Sequence, residues 1–412
     1  MNKEIPQLLK GFRDYLPDEQ LARRKVIAKI SEVFERFGFS PLDTPALESY
    51  ELFKGKLGED EKLMYKFEDL GGREIALRYD LTVPLARVVG QYRELVLPFK
   101  RYQIGNVWRA DKPQKGRFRE FMQCDIDVVG SSSINADVEV IAALVAAFKS
   151  LEIGTFEVKY NDRKLVDEVL GKLKLSKEEI VKFMRTMDKL DKIGEEKVVE
   201  SLREQGLDKN IWAEYTKIMD ESSREYVTRT EELLAGAGVT QMRFDKYLMR
   251  GLDYYTGIVF EFTLLEKPEF GSVGSGGRYD NLIENITGVK TPAVGGSIGL
   301  DRLLAALEEM DVVAPQTATE VIVFNLDASL TANYLNMTTN LRDAGIDTEF
   351  FYEPAKLDKQ FKYAESKNMQ VAVIVGPEEA GARKVNLKNL REKEQRTVDL
   401  DDLITEVKSM LW

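Results

Sequence analysis

The chain has no histidine and a single cysteine, Cys124, among 412 residues. The first absence excludes imidazole general bases, Ser-His triads and imidazole metal ligands. The two together leave no ligand set for a structural zinc. One cysteine also excludes a disulfide framework and fits a reducing, cytoplasmic setting. No run of about 18 apolar residues occurs and no apolar region follows Met1, so neither a membrane span nor a secretory leader is expected. Surplus positive charge is lacking as well. The net charge of −11 argues against general nucleic-acid coating but leaves room for a local basic groove. Chemistry must therefore run on carboxylates, Arg and Lys, backbone donors and Mg²⁺. A chain this long ordinarily carries several histidines, and their absence reads as removal, by selection or design, rather than chance.

What remains is an ordinary globular composition, 43% hydrophobic and 31% charged, with length for two to four domains. The chain is organised around residues 98–130, PFKRYQIGNVWRADKPQKGRFREFMQCDIDVVG, which read as strand, charged loop, strand. Period-two geometry puts Arg119, Phe121, Gln123, Asp125 and Asp127 on one face of the second strand. Met122, Cys124, Ile126 and Val128 form a core-facing row on the other. Polar residues on such a sheet need partners. Arg109, Lys112, Lys115 and Arg117 in the loop bring cations to where this face begins, which favours a binding floor over a merely solvated face.

Before this unit, KGFRDYLP at 10–17 reads as an extended leader, and Asp18 as the cap of a helix ended by Gly38. PLDTPALE at 41–48 reads as a strand broken by two prolines, suited to an edge or interface. Residues 62–81 read as a hairpin turning at Gly71-Gly72. Asp80 ends its second strand, and Thr82 is placed to cap a helix starting near Pro84. That carboxylate either serves the backbone or holds an amine, and the residues leave both open.

After the central unit, Ile134–Phe148 reads as a buried helix, FEVKYND as a strand, and about 162–238 as a charge-rich helical insertion. RGLDYYTGIVFEF at 250–262 places Arg250 and Asp253 near a turn. The glycine-dense GSVGSGGRYDNL matches no phosphate-loop pattern; close approach to a ligand and a plain flexible turn both fit it. AVGGSIGLDRLLAALEEM at 293–310 reads as strand into helix. Arg302 lies in the first helical turn, either beside a bound anion or in a surface pair. After a linker near 311–320 the alternation of strand and helix predicts a separate α/β domain. Its run Arg383, Lys384, Lys388, Arg391, Lys393 and Arg396 is either a solvated surface or a phosphate-backbone contact.

Taken together, these motifs resemble histidyl-tRNA synthetases, a class II aminoacyl-tRNA synthetase family, over essentially the whole chain. PLDTPALE resembles motif 1, residues 98–130 motif 2, and GGSIGLDRL motif 3. RGLDYYTGIVFEF and SGGRYDNL resemble signatures of the histidine family rather than of class II at large. The resemblance implies an α/β (α+β) fold: a class II antiparallel-sheet catalytic domain at 1–320 with the helical insertion, then an α/β anticodon-binding domain at 321–412. It also implies a homodimer formed through the motif 1 region.

The family's roles carry over to matching positions. Arg109 and Arg302 are expected to grip ATP phosphates, supported by Arg117 and Arg119, and Arg250 to span the α-phosphate and the substrate carboxylate. Asp80, Thr82 and Gln123 are expected to hold the histidine amino group, and Asp127 and Tyr255 the imidazole, with Arg250 and Tyr254 completing the histidine-binding set. Lys112 and Gln114 are expected at the tRNA acceptor end. ATP with Mg²⁺ carried mainly on its phosphates, L-histidine and tRNA(His) are the implied substrates, with no protein-only metal site, zinc or prosthetic group. Met122 stands where the family often has histidine, and Asp80 and Asp127 where it often has glutamate, which draws those carboxylates back. Two other functions use this fold, a histidine-sensing regulatory subunit of ATP phosphoribosyltransferase and a tRNA-sensing module attached to kinases. Arg109, Gln123, Arg250 and Arg302 together with the C-terminal domain argue against the first, and the lack of a kinase segment against the second.

Overall fold

The computed structural model describes residues 6–411 except 57, 209, 223, 250–253 and 311–316; at 59, 191, 192 and 226 only the backbone is described. The chain divides into two compact units, one of Met1–Arg13 and Val26–Val312, the other of Asp14–Lys25 and Val313–Trp412. Helix α1 (Pro17–Arg36) contributes to both. It opens at Pro17, whose missing N–H costs nothing at a first position, so Asp18 sits inside the first turn rather than capping it.

The first unit is built on a sheet that, among the described residues, has eight strands. In chain order these are β1 (Ser40–Pro41), then, after the small-sheet strands β2 (Leu47–Ser49), β3 (Lys66–Glu68) and β4 (Glu74–Leu77), β5 (Phe99–Trp108), β6 (Glu120–Val129), β7 (Phe156–Asp162), β8 (Met242–Phe244), β9 (Ile258–Leu264), β10 (Ser272–Arg278) and β11 (Ala293–Gly299). Their spatial order is β1-β5-β6-β11-β10-β9-β7-β8. The six inner strands pair antiparallel, with a parallel strand at each edge. The PLDTPALE segment is thus divided: its start belongs to β1 in the large sheet, its end to β2 beside the expected β3–β4 hairpin.

The helices of this unit include α2 (Thr82–Gln91) and α3 (Ile134–Ser150), and then α4 (Arg163–Lys172), α5 (Lys177–Met187), α6 (Leu190–Ile193), α7 (Glu195–Glu204), α8 (Ile211–Glu221) and α9 (Glu225–Gly236) of the insertion. Short α10 (Leu282–Thr287) and α11 (Leu300–Glu309) complete them. Helix α3 is apolar nearly all round, as a buried helix must be. Its Phe148 stacks on Phe262 of β9 at 4.6 Å between ring centroids. The N-terminus of α3 is tied to β10 by a buried ion pair, Arg278 to Asp137 at 2.7 Å. The remaining Arg278 donors go to Asp280 and to the Ser131 and Ser133 carbonyls.

The glycine-dense stretch is, from Ser272 on, β10, a central strand and not a flexible turn. Its glycines answer to crowding across the sheet. A Cβ on Gly276 would lie 2.3 Å from the Gly295 carbonyl, and one on Gly277 2.9 Å from the Tyr255 ring.

The second unit holds β12 (Val321–Val323), α12 (Thr331–Asp343), β13 (Thr348–Phe350), α13 (Leu357–Ser366), β14 (Val371–Ile374), α14 (Pro377–Ala382), β15 (Lys384–Asn389), β16 (Gln395–Asp399) and α15 (Leu403–Leu411). Its sheet runs β13-β12-β14-β15-β16, parallel at first and antiparallel from β14 onward. Val321, Val323, Tyr334, Val373, Leu387 and Val407 lie in its core. The expected alternation lacked α14 and β16. The expected basic run is partly neutralised, with Arg383 on Asp401 at 2.8 Å and Arg396 on Glu406 at 3.7 Å. Among the described residues no helix is long and apolar enough to cross a membrane.

Candidate active site

A cleft of about 720 Å³ opens over the β6 face of the first unit. Alternation along β6 turns Phe121, Gln123, Asp125 and Asp127 into it. The neighbours are fixed by register. Arg101 of β5 and Gly295 of β11 flank Asp127, Gln103 and Ser297 flank Asp125, and Gly105 and Gly299 flank Gln123. Gly295 has to lack a side chain, because a Cβ there would fall 1.9 Å from Asp127 Oδ1.

Five carboxylates of the cleft lining are buried, Asp80, Asp125, Asp127, Glu261 and Asp301. Asp127 forms an ion pair with the fully buried Arg101, 2.6 Å from Nη2 to Oδ2, and accepts from the Tyr279 hydroxyl. Burial pushes its carboxyl above the usual range, while Arg101 and Tyr279 pull it down. Burial pushes Asp125 up to about 7 against the pull of Arg101.

Asp80 precedes α2, and its Oδ1 accepts from the Val83 and Thr82 backbone N–H groups at 2.9 and 3.2 Å. The capping expected of Thr82 therefore falls to Asp80, because α2 begins at Thr82 itself, with Leu81 as its cap residue and no side-chain bond there. The backbone reading of Asp80 is met by one oxygen, and Oδ2 is buried without a partner in the cleft. Gln123 Oε1 is likewise buried and unpartnered. Two free acceptors in one cleft suit a cationic N–H group.

Arg109 also lines the cleft. Its guanidinium lies over the Tyr79 ring at 4.2 Å and near Phe121 at 5.2 Å, with Nε donating to the Tyr79 carbonyl. Arg302 donates to the Ser272 carbonyl at 2.7 Å, and Arg117 stands 3.7 Å from Asp111. Tyr254 and Tyr255 meet edge to face at 5.2 Å, and Tyr254 also meets Tyr279. Burial raises all three phenols, so they remain protonated donors.

The cleft thus brings together Asp80, Thr82, Arg109, Arg117, Gln123, Asp127, Tyr254, Tyr255 and Arg302. It does not bring in Arg119. Strand β6 starts one residue later, and this guanidinium turns to the Asp111 and Lys10 carbonyls. Lys112 and Gln114 are exposed outside the cleft, and Lys115 pairs with Glu309 rather than joining the other loop cations. Arg250 and Asp253 lie outside the described residues. Arg101, Ser297 and Tyr279 were not anticipated. Pairing the two strands of 98–130 about their loop would have set Arg101 opposite Asp127. Asp125, which the family roles pass over, proves to be on the floor.

Residues 11–303 match the family model described as histidyl-tRNA synthetase, and residues 320–410 that of the anticodon binding domain. The chain is 41% identical to the histidine–tRNA ligase of Rhodopirellula baltica and 40% to that of Wolinella succinogenes, each over 95% of both chains. The crystal structure of histidyl-tRNA synthetase from Nostoc sp. PCC 7120 has a TM-score of 0.84 at 32% identity, over 99% of both chains. An ATP phosphoribosyltransferase regulatory subunit/histidyl-tRNA synthetase from Bacillus halodurans shares the fold, with a TM-score of 0.73 at 21% identity over 86% of this chain and 96% of that one.

An antiparallel sheet carrying the 98–130 hairpin and the GGSIGLDRL strand–helix defines a class II aminoacyl-tRNA synthetase, a class that uses ATP and Mg²⁺. The chain belongs to the histidyl-tRNA synthetase family.

Proposed function

We propose that this chain ligates L-histidine to tRNA(His) in two steps. An oxygen of the histidine carboxylate attacks the α-phosphorus of ATP in line, the bond to pyrophosphate breaks, and histidyl-adenylate forms. The 3′-terminal adenosine hydroxyl of the tRNA then attacks the histidyl carbonyl, and AMP leaves. Neither step needs a protein nucleophile or an imidazole base, so a histidine-free chain can perform both by positioning and charge stabilisation.

The observation that carries this reading is the pair of buried, unpartnered acceptors, Asp80 Oδ2 and Gln123 Oε1, in a cleft shared with Arg109, Arg117 and Arg302. The acceptors, with Thr82, take the α-ammonium group. Arg109 and Arg302 take ATP phosphates, since a planar fork binds phosphate bidentately and stays charged; Arg117 supports them. Arg119 holds the motif 2 loop to the leader backbone. Arg250 retains, on its motif alone, the span between α-phosphate and substrate carboxylate.

Asp127 and Tyr255, with Tyr254 beside them, take the imidazole. Each Asp127 oxygen has a second lone pair beyond those used by Arg101 and Tyr279. Mg²⁺ would be held mainly by the ATP phosphates, with the Glu261 carboxylate of the cleft lining able to supply an oxygen donor of the kind this ion takes. Exposed Lys112 and Gln114 meet the acceptor end, and residues 321–412 the anticodon. The 1–320 region acts as the catalytic domain and dimerises through PLDTPALE in the cytoplasm.

ATP–pyrophosphate exchange across the twenty amino acids tests the reading. L-Histidine alone should drive it, and exchange driven by another amino acid instead would overturn it.

A further inference from the structure

Gln123 can hold an ammonium group only if its amide oxygen, and not its NH₂, faces the cleft. The side chain alone does not decide this, because the two ends of an amide have nearly the same shape. Its surroundings do. Nε2 donates to Ser297 Oγ at 2.9 Å and approaches Asp125 Oδ1 at 3.5 Å, leaving Oε1 buried and unpartnered. Ser297 stands directly across the β6–β11 pairing from Asp125, and its hydroxyl is among the groups that pull the Asp125 carboxyl down. A hydroxyl that accepts from an amide N–H has its own proton to give, and above about pH 7, where Asp125 is ionised, its carboxylate can only accept. The Gln123 amide N–H groups therefore face Ser297 and Asp125, which leaves its oxygen to the cleft. Turning the amide over would set its oxygen against the Asp125 carboxylate and offer an N–H to an incoming ammonium.

We infer that Asp125 and Ser297 are positioning residues that lock the Gln123 amide with its oxygen toward the substrate, so that the site reads the α-ammonium group of its amino acid. The inference rests on the histidine-activating function proposed above. It gives a role to a buried carboxylate that the two-step reaction leaves idle. Arg101 supports the arrangement as the buried cation whose pull on Asp125 favours the ionised form.

The test uses the full chain and its Ser297→Ala variant in ATP–pyrophosphate exchange. Two competitive inhibitors accompany histidine: L-histidinol, which keeps the ammonium and imidazole, and imidazole-4-propionate, which lacks the ammonium. The expected result is a rise of about tenfold to hundredfold in KM for histidine and in the histidinol inhibition constant, the scale of one mispaired polar group. The KM for ATP, kcat and inhibition by imidazole-4-propionate should stay within about twofold of the parent, and Ser297→Thr should recover most of the loss. If Ser297→Ala fails to fold on a melting curve, Asp125→Ala takes its place in the same comparison.

An unchanged histidine KM overturns the inference while the proposed function stands. Equal losses for the two inhibitors overturn it too, because they report a damaged cleft rather than a turned amide. A parent chain without histidine-dependent exchange removes the proposed function, and this inference with it.

Discussion

Arg101 and Asp127 face each other across the β5–β6 pair and form an ion pair from which water is excluded, 2.6 Å between Nη2 and Oδ2. Arg101 Nη2 also reaches the Leu81 carbonyl at 3.2 Å. The carboxylate we propose for the imidazole is therefore set in place by a cation that does not itself line the cleft.

Removing that cation strands a buried charge. Arg101→Met should destabilise the first unit by about 3–5 kcal/mol and abolish histidine-dependent exchange. Adding Asp127→Asn, which keeps an acceptor for Tyr279, should recover more than half of the lost stability but little activity. Calorimetric melting of the parent and both variants checks this; a single variant as stable as the parent would refute it.

Asp125 predicts a pH dependence of stability. Its folded pKa, about 7, lies above the ordinary aspartate value of 3.8, so between those values the folded state binds more protons than the unfolded. Stability from this group is fully present below about pH 4 and is lost as pH rises to about 7, at up to about 1.4 kcal/mol per unit. The charges acting on it include Arg101, Asp127 and Asp80. Asp125→Asn should flatten the fall in melting temperature between pH 5 and 8. A parallel fall in parent and variant would show that the carboxyl does not titrate there.

Arginine forks should not be replaceable by ammonium groups. Arg109→Lys loses the stacking between Tyr79 and Phe121 as well as the bidentate grip, and should cost roughly a hundredfold in kcat/KM for ATP. Arg250→Lys should cripple adenylation while calorimetry still detects histidine binding. Near-normal pyrophosphate exchange in either variant would remove that arginine from the mechanism.

Gly295→Ala puts a methyl group where Asp127 Oδ1 now sits, 1.9 Å from it. The strain should cost about 1–3 kcal/mol of stability and raise the histidine KM far more than the ATP KM. An equal rise for both substrates would mean the whole sheet had shifted.

Much of the scaffold was legible in the sequence. The strands of residues 98–130, the small hairpin turning at Gly71-Gly72, buried α3 and the strand–helix at 293–310 each carry their periodicity in side chains. Strand β10 did not, because its glycines are dictated by Phe260, Tyr255 and the Gly295 carbonyl, which come from other segments. Arg101 follows a lysine and reads locally as part of a solvated charged pair. Only its register against Asp127 shows that it is buried. Arg119 was set on the polar face because alternation was extended one residue too far, to a position where the chain had already turned toward the leader. The second unit's β16 has exposed residues at nearly every position, leaving almost no apolar row to find.

The floor around Asp127 has one more property. It is built from a carboxylate, a guanidinium and phenols, in a chain with no histidine of its own. In an untagged sample with ¹⁵N-labelled L-histidine, every imidazole nitrogen resonance therefore comes from the ligand, free or bound. The tautomer and protonation state of the bound ring become directly readable in a spectrum free of background.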